Sequence, residues 1–277
     1  MDFTWQGAWR TLVLGVVQGV TEFLPVSSSG HLALLQTFFE SPADPTQNLL
    51  AFDLFLHCAT ALAVLIFFRK DVMAILAQWF GGFLSKKHRD AEGWRYGWLI
   101  LAGTAVTASV ALPLEKAVAA AMSSYLAVGA GLLVTAGLLC VVPLAPGGER
   151  EVSLKSILLV GLAQGLAVFP GVSRSGATIV AALFLGLSAS EAFRLSFLMS
   201  IPAILGASLL EGLKILRDPL WALPEGWVLA VLAAFALGCL SLAFLRRLVL
   251  SGRWAYFGIY CFLLGVAAIV SAITANF

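Results

Sequence analysis

Apolar residues run through this chain in long blocks, and the blocks set its architecture. A bilayer core of ~30 Å needs about 20 apolar residues in a helix. Six stretches meet that need with modest interruption: 49–68, 96–114, 122–143, 189–213, 226–245 and 254–275. Two further apolar regions, 7–40 and 155–187, are broken near their middles by proline, glycine and serine, at 25–30 and 170–176. Such clustered breaks make poor straight spans. These two regions are expected to be re-entrant helix pairs that enter and leave on one side.

Composition agrees. Of 277 residues 60% are hydrophobic and 12% charged, and mean hydropathy is +0.96. Soluble domains average roughly 45–50% apolar and about 25% charged, so water-soluble classes are set aside. The four cysteines, Cys58, Cys140, Cys239 and Cys261, lie in apolar runs with no metal-type spacing; they are expected to be small buried hydrophobes. No basic segment followed by a small-residue cleavage site opens the chain, so no cleavable signal peptide is expected.

With both broken regions re-entrant, eleven Lys and Arg fall on one side, in 69–95, 144–155 and 246–253. Four fall on the other: Arg10, Lys116, Lys214 and Arg217. The positive-inside rule puts the eleven in the cytoplasm and both termini outside. The runs "SKKHRD" (Ser85–Asp90) and "LRRL" (Leu245–Leu248) then serve orientation and contact with anionic lipid. No glycine-rich phosphate loop is present, and no nucleic-acid role is expected.

The two breaks are copies. A shift of 146 residues lays "QGVTEFLPVSSSG" (Gln18–Gly30) on "QGLAVFPGVSRSG" (Gln164–Gly176), with seven of thirteen positions identical. Three spans follow each copy. An odd number inverts the second copy, as in inverted-repeat membrane proteins whose broken helices meet at the midplane. The expected organisation is one all-α polytopic membrane domain over 1–277. It is built from an inverted-topology repeat, about 1–143 and 150–277, with six transmembrane helices and two re-entrant pairs.

Chemistry concentrates at the breaks. Gln18 and Glu22 stand four apart on one helical face. Pro25 disfavours helix at Leu24, so the first half-helix is expected to end there. Ser27 or Ser28 is placed to cap the second half-helix, with His31 in its first turn, where free N–H groups attract an anion. In the second copy Ser173 and Ser175 match Ser27 and Ser29, Arg174 stands at the place of Ser28, and Val168 at that of Glu22. One copy carries acid, hydroxyl and imidazole; the other carries a guanidinium, which suits phosphate oxygens. Purely structural roles would also suit these residues: Arg174 bridging Glu22, Glu22 bonded to serines, His31 as a simple cap.

The stretches "QGVTEFLPVSSSGH" and "PGVSRSGAT" resemble the two signature motifs of the undecaprenyl-diphosphate phosphatase family, the bacitracin-resistance type of bacterial inner-membrane enzymes. The resemblance extends along the chain in length and span count. It implies hydrolysis of the C55 lipid diphosphate to the monophosphate, which recycles the carrier for peptidoglycan synthesis. It also implies an inner-membrane site open to the periplasm and a divalent cation, Mg²⁺ or Ca²⁺. On these motifs Ser28, His31, Glu22 and Arg174 are the catalytic candidates. Ser27, Ser29, Gly30, Ser173, Ser175 and Thr178 are substrate-binding candidates, and Glu22 with Gln18 the metal candidates. Many family members have Glu at the first motif position; Gln18 cannot act as a carboxylate, which leaves Glu22 alone in the acid role. Ser28 is the expected nucleophile, with His31 or Glu22 taking its proton; attack by His31 or by water stays open. The expected partners are a long-chain polyprenyl diphosphate and the membrane, with a homodimer as the candidate assembly.

A secondary transporter or flippase for an anionic or lipid-phosphate substrate would share this architecture. The Glu22, Ser28 and His31 set separates the two readings, because a carrier binds whereas hydrolysis needs a nucleophile and proton transfer. Asp53 with His57 (i, i+4) and Glu211 with Lys214 (i, i+3) read as local hydrogen bonding and snorkelling near span ends.

Overall fold

The computed structural model describes residues 5–39, 49–217, 223–252 and 254–274; Arg253, counted above on the cytoplasmic side, lies outside them. Every regular element among the described residues is a helix, with no strand. The first broken region is α1 (Trp5–Thr21) and α2 (Ser28–Phe39); the second is α9 (Leu154–Leu166) and α10 (Arg174–Phe184). Between them run α3 (Leu49–Phe67), α4 (Arg69–Leu84), α5 (Lys86–Arg89), α6 (Glu92–Ala111), α7 (Glu115–Met122) and α8 (Tyr125–Cys140). α11 (Ala189–Ile215), α12 (Trp227–Ser251) and α13 (Ala255–Thr274) complete the chain.

Five stretches are long and apolar enough to cross a membrane: Glu92–Met122, Tyr125–Leu144, Ala189–Ile215, Trp227–Ser251 and Ala255–Thr274. α3 and α4 pass the same test together but are bent by 78°. Residues 69–84, expected outside the spans, therefore form a helix that turns sharply away from α3 at Phe68. The molecule is a polytopic membrane protein.

Proline position explains where both broken helices stop. A proline in a helix clashes with the carbonyl four residues back and cannot donate to it. Four residues before Pro25 is Thr21, and four before Pro170 is Leu166; these are the last residues of α1 and α9. The first half-helix thus ends three residues before the expected Leu24, and Glu22 lies in the turn.

Small residues let the broken helices pack closely. Gly15 and Gly19 of α1 lie against Ala230 and Ala234 of α12, where a Cβ would meet backbone. Gly161 and Gly165 of α9 lie in the same way against Gly103 and Thr107 of α6. The glycines differ by 146 residues and their partners by 127, so the same packing recurs in each half. α8 and α13 pair with one another, with Gly129 and Gly265 each facing the other's carbonyl.

Ion pairs tie the helix ends. Arg194 of α11 reaches Asp71 of α4 at 2.8 Å and Glu92 of α6 at 3.0 Å, with its guanidinium 4.9 Å over the Tyr96 ring. Arg95 pairs with Glu151 at 3.1 Å, and Lys214 pairs with Glu115 rather than snorkelling alone. Of the four cysteines only Cys261 is buried; Cys58 and Cys140 are exposed and Cys239 intermediate. Helix periodicity turns those three outward, which corrects the expectation of four buried thiols.

Candidate active site

The two breaks meet. A Cβ on Gly30 would lie 3.0 Å from Cα of Gly171, and one on Gly176 would lie 3.4 Å from Cβ of Pro25. Positions 30 and 176 correspond, as do 25 and 171, so each copy touches the other through the same pair of positions.

Both second half-helices are capped alike. Ser27 Oγ accepts from Gly30 N at 3.3 Å, and Ser173 Oγ from Gly176 N at 3.1 Å. The cap hydroxyl also touches the next serine, Ser27 to Ser29 at 3.3 Å and Ser173 to Ser175 at 3.2 Å. Free N–H groups of two helix starts thus open toward one place, a setting that favours an anion. The backbones differ. Ser27 has φ +68 and is the only non-glycine residue at positive φ among those described; in the second break Gly171 takes φ +88. Pro25 occupies the place of Gly171, and its ring locks φ near −65°. The left-handed residue is displaced to Ser27, at a cost of roughly 1–2 kcal/mol for a residue with a Cβ.

The reactive set assembles around Glu22, whose side chain is 6% exposed. Oε1 takes Arg174 Nη2 at 2.5 Å. Oε2 accepts Ser28 Oγ–H at 2.6 Å and Gln18 Nε2–H at 3.1 Å. A buried pair of this kind adds little net stability, so its presence calls for a reason in chemistry. Ser28 is the first residue of α2 and Arg174 the first of α10: equivalent positions meet at one carboxylate. Arg174 Nη1 and Gln18 Oε1 are buried and have no hydrogen-bond partner in the protein. The first is a donor available to an anionic oxygen, the second an acceptor available to a cation or an N–H.

His31 bonds elsewhere. Its Nδ1 lies 2.7 Å from the Ser27 carbonyl and its Nε2 2.6 Å from Tyr260 Oη. Thr178, fully buried, gives its hydroxyl to the Arg174 carbonyl at 2.9 Å and meets Ser196 of α11 at 2.6 Å; it ties α10 to α11. Ser175 Oγ reaches the Leu24 carbonyl at 3.4 Å and so links the two breaks.

For a divalent cation, no group of three or more His, Cys, Asp or Glu that could cage a metal occurs among the described residues. A cation carried on diphosphate oxygens needs only one or two protein ligands. Glu22 with the unpartnered Gln18 Oε1 fits that lesser role.

The family model described as "Bacitracin resistance protein BacA" matches residues 11–267. The chain belongs to that family. It is 46% identical over 264 residues to the undecaprenyl-diphosphatase of Desulfosudis oleivorans, covering 92% of this chain and 94% of that one. It is 41% identical to the undecaprenyl-diphosphatase of Korarchaeum cryptofilum, over 93% and 97% of the two chains. A third relative, the undecaprenyl-diphosphatase of Desulforapulum autotrophicum, is 39% identical over 96% and 99%.

Three residues of this BacA-family site escape sequence reading. Tyr260 lies 229 residues from His31. Thr135 of α8 donates to the Gly171 carbonyl at 2.7 Å and accepts from Ser173 N at 2.9 Å. Cys261 of α13 sits 3.8 Å from the Pro25 carbonyl. All three stand in ordinary apolar spans with no motif around them. His57, expected to bond locally, does so: its Nδ1 meets the Asp53 carbonyl at 2.8 Å.

Proposed function

We infer that this protein is an integral-membrane phosphatase that hydrolyses undecaprenyl diphosphate to undecaprenyl phosphate and phosphate, recycling the lipid carrier for cell-wall synthesis. Family membership and relatives of that name over nearly the whole chain support this reading. The single observation that carries it to chemistry is the Ser28–Glu22–Arg174 constellation: a hydroxyl, its proton acceptor and a guanidinium joined at 2.6 and 2.5 Å.

Ser28 Oγ attacks the terminal phosphorus as Glu22 Oε2 takes its proton, and the lipid monophosphate leaves. Arg174, through Nη1, and the first-turn N–H groups of α2 and α10 stabilise charge on the phosphoryl oxygens, the main need of phosphoryl transfer. Ser27, Ser29, Gly30, Ser173 and Ser175 shape that cradle. Glu22 gives the Ser28 proton to the departing lipid monophosphate; it then takes a proton from the water that attacks phosphoserine and hands it to Ser28 Oγ as phosphate leaves. Glu22 and Gln18 Oε1 would hold Mg²⁺ or Ca²⁺, which supplies further neutralisation of the diphosphate charge when bound. His31 has both ring nitrogens committed to other partners, so Glu22 is the better-placed base.

The recurrent packing of α1 on α12 and α9 on α6, and the reciprocal contact of the breaks, support an inverted repeat, about 1–143 and 150–277, with a two-fold axis between the breaks. Ion pairs join residues assigned to one side: Arg95 to Glu151, Lys214 to Glu115. That supports grouping these segments by side; the excess of Lys and Arg in 69–95, 144–155 and 246–253 supports an inner-membrane orientation with that side cytoplasmic and both termini periplasmic, and the family resemblance implies a site open to the periplasm.

The test is phosphate release from a long polyprenyl diphosphate in detergent, with and without EDTA, together with acid-quench trapping of phosphoserine. Release with a trapped phosphoenzyme in the native protein and none in Ser28→Ala is expected. No release under any metal condition would return the carrier reading; release without a phosphoenzyme, undiminished in Ser28→Ala, would move the attack to water.

A further inference from the structure

His31 and Tyr260 form a brace that exists at only one of the two breaks. The Ser27 carbonyl can only accept, so His31 Nδ1 carries a proton and donates to it at 2.7 Å. In the neutral ring Nε2 is then the acceptor, and Tyr260 Oη–H donates to it at 2.6 Å. The rings lie nearly parallel, 9° apart, with centroids at 5.6 Å. Tyr260 is 45% exposed on the outer side of α13, yet its hydroxyl turns inward to an imidazole that is 8% exposed. Both nitrogens of His31 are thereby committed, and Ser28 Oγ finds its partner in Glu22 instead.

What the brace holds is the Ser27 backbone, at φ +68 immediately before the nucleophile. Strain of this kind persists only when the surroundings over-determine it. The other break provides the control. Thr135 of α8 to the Gly171 carbonyl and Cys261 of α13 to the Pro25 carbonyl are matching contacts, so α8 braces one break as α13 braces the other. One residue before each stand Val134 and Tyr260, and Ala177 takes the place of His31. The second break keeps its positive φ on Gly171, where a left-handed backbone needs no support. Imidazole and phenol appear together where a non-glycine residue is held left-handed beside the attacking serine.

We propose that Tyr260 is a positioning residue of this reaction: its hydroxyl fixes the His31 ring, whose Nδ1–H braces the Ser27 turn that aims Ser28 Oγ. The proposal rests on the phosphatase reading. Tyr260→Phe should lower kcat about tenfold, the scale of one hydrogen bond, with KM unchanged within about twofold. An asparagine amide can reproduce the Nδ1–H donor and a glutamine amide the Nε2 end. His31→Asn should therefore stay within about tenfold of the native rate, while His31→Gln falls about 100-fold. In the His31→Asn background Tyr260→Phe should have no further effect, because the ring nitrogen it holds is gone.

A second readout is independent of turnover. ¹⁵N NMR of imidazole-labelled native protein, with the His31 signal assigned by its loss in His31→Asn, should show the Nδ1–H tautomer, and Tyr260→Phe should move the Nε2 resonance. An Nε2–H tautomer, an additive double mutant, or a Tyr260→Phe effect confined to KM would each overturn the proposal. If the native protein released no phosphate the phosphatase reading would fail by itself, and the tautomer and the Nε2 response would still decide whether the brace exists.

Discussion

The first break and the second share their caps, their serine pair and their closing glycine, yet they keep the left-handed residue in different places. In the second, Gly171 takes it at φ +88 and Ser173 is a relaxed cap at φ −75. In the first, Pro25 occupies the glycine's position and Ser27 takes φ +68. The relaxed break presents a charge, Arg174, whose long side chain reaches Glu22 from a distance and needs no exact backbone. The strained break presents Ser28, the proposed nucleophile, whose short side chain points where the backbone points. On the proposed roles the two breaks divide charge stabilisation from bond making, and the left-handed serine lies with the second of these tasks.

The largest effect should come from exchanging the two first-turn residues. The double variant Ser28→Arg with Arg174→Ser keeps composition, but puts the hydroxyl on the break that lacks acid and imidazole. Phosphate release should fall by at least about 10³-fold, and recovery of activity would erase the distinction between the copies. Arg174→Ala should cost about 10³-fold, the scale of a phosphoryl-stabilising arginine. Arg174→Lys should cost about 10- to 100-fold, since a lysine cannot bridge carboxylate and phosphate with a planar fork. Steady-state kinetics in detergent separates the two.

Glu22→Gln should lower turnover about 100-fold or more by removing the proton acceptor, and it leaves Arg174 partly buried without its counter-charge. A thermal unfolding midpoint that falls together with activity is expected.

Backbone variants give smaller effects and divide stability from rate. Gly171→Ala adds a Cβ that collides with the Val128 carbonyl, at a φ that alanine resists; it should destabilise by about 2–3 kcal/mol. Ser27→Gly relieves the left-handed serine but loses the cap hydroxyl. It should stabilise by up to about 1 kcal/mol while slowing turnover about threefold, because the turn that aims Ser28 is no longer held. A faster Ser27→Gly enzyme would contradict the aiming role.

Much of this was legible from the chain. Pro25 and Pro170 mark both breaks, and the 146-residue shift pairs Ser28 with Arg174 from sequence alone. Gln18 and Glu22, four residues apart, were expected on one face and are joined at 3.1 Å. These readings succeed because they rest on steric and periodic rules that act within a few residues. Others fail for the opposite reason. α1 ends at Thr21 rather than Leu24 because the proline acts on the carbonyl four residues back as well as on its neighbour. Residues 69–84 gave no sign that α4 would fold at 78° to α3.

The sequence by itself determined a polytopic helical protein with two related breaks and a reactive set of hydroxyl, acid, imidazole and guanidinium. Only the tertiary structure decided how that set is wired. Ser28 bonds Glu22, and Glu22 bonds Arg174 across 152 residues. His31 turns away to Tyr260, across 229. Hydrogen bonds are short-ranged and directional, so which donor meets which acceptor depends on how α10 and α13 pack against the first break. Local pattern carries no record of that packing.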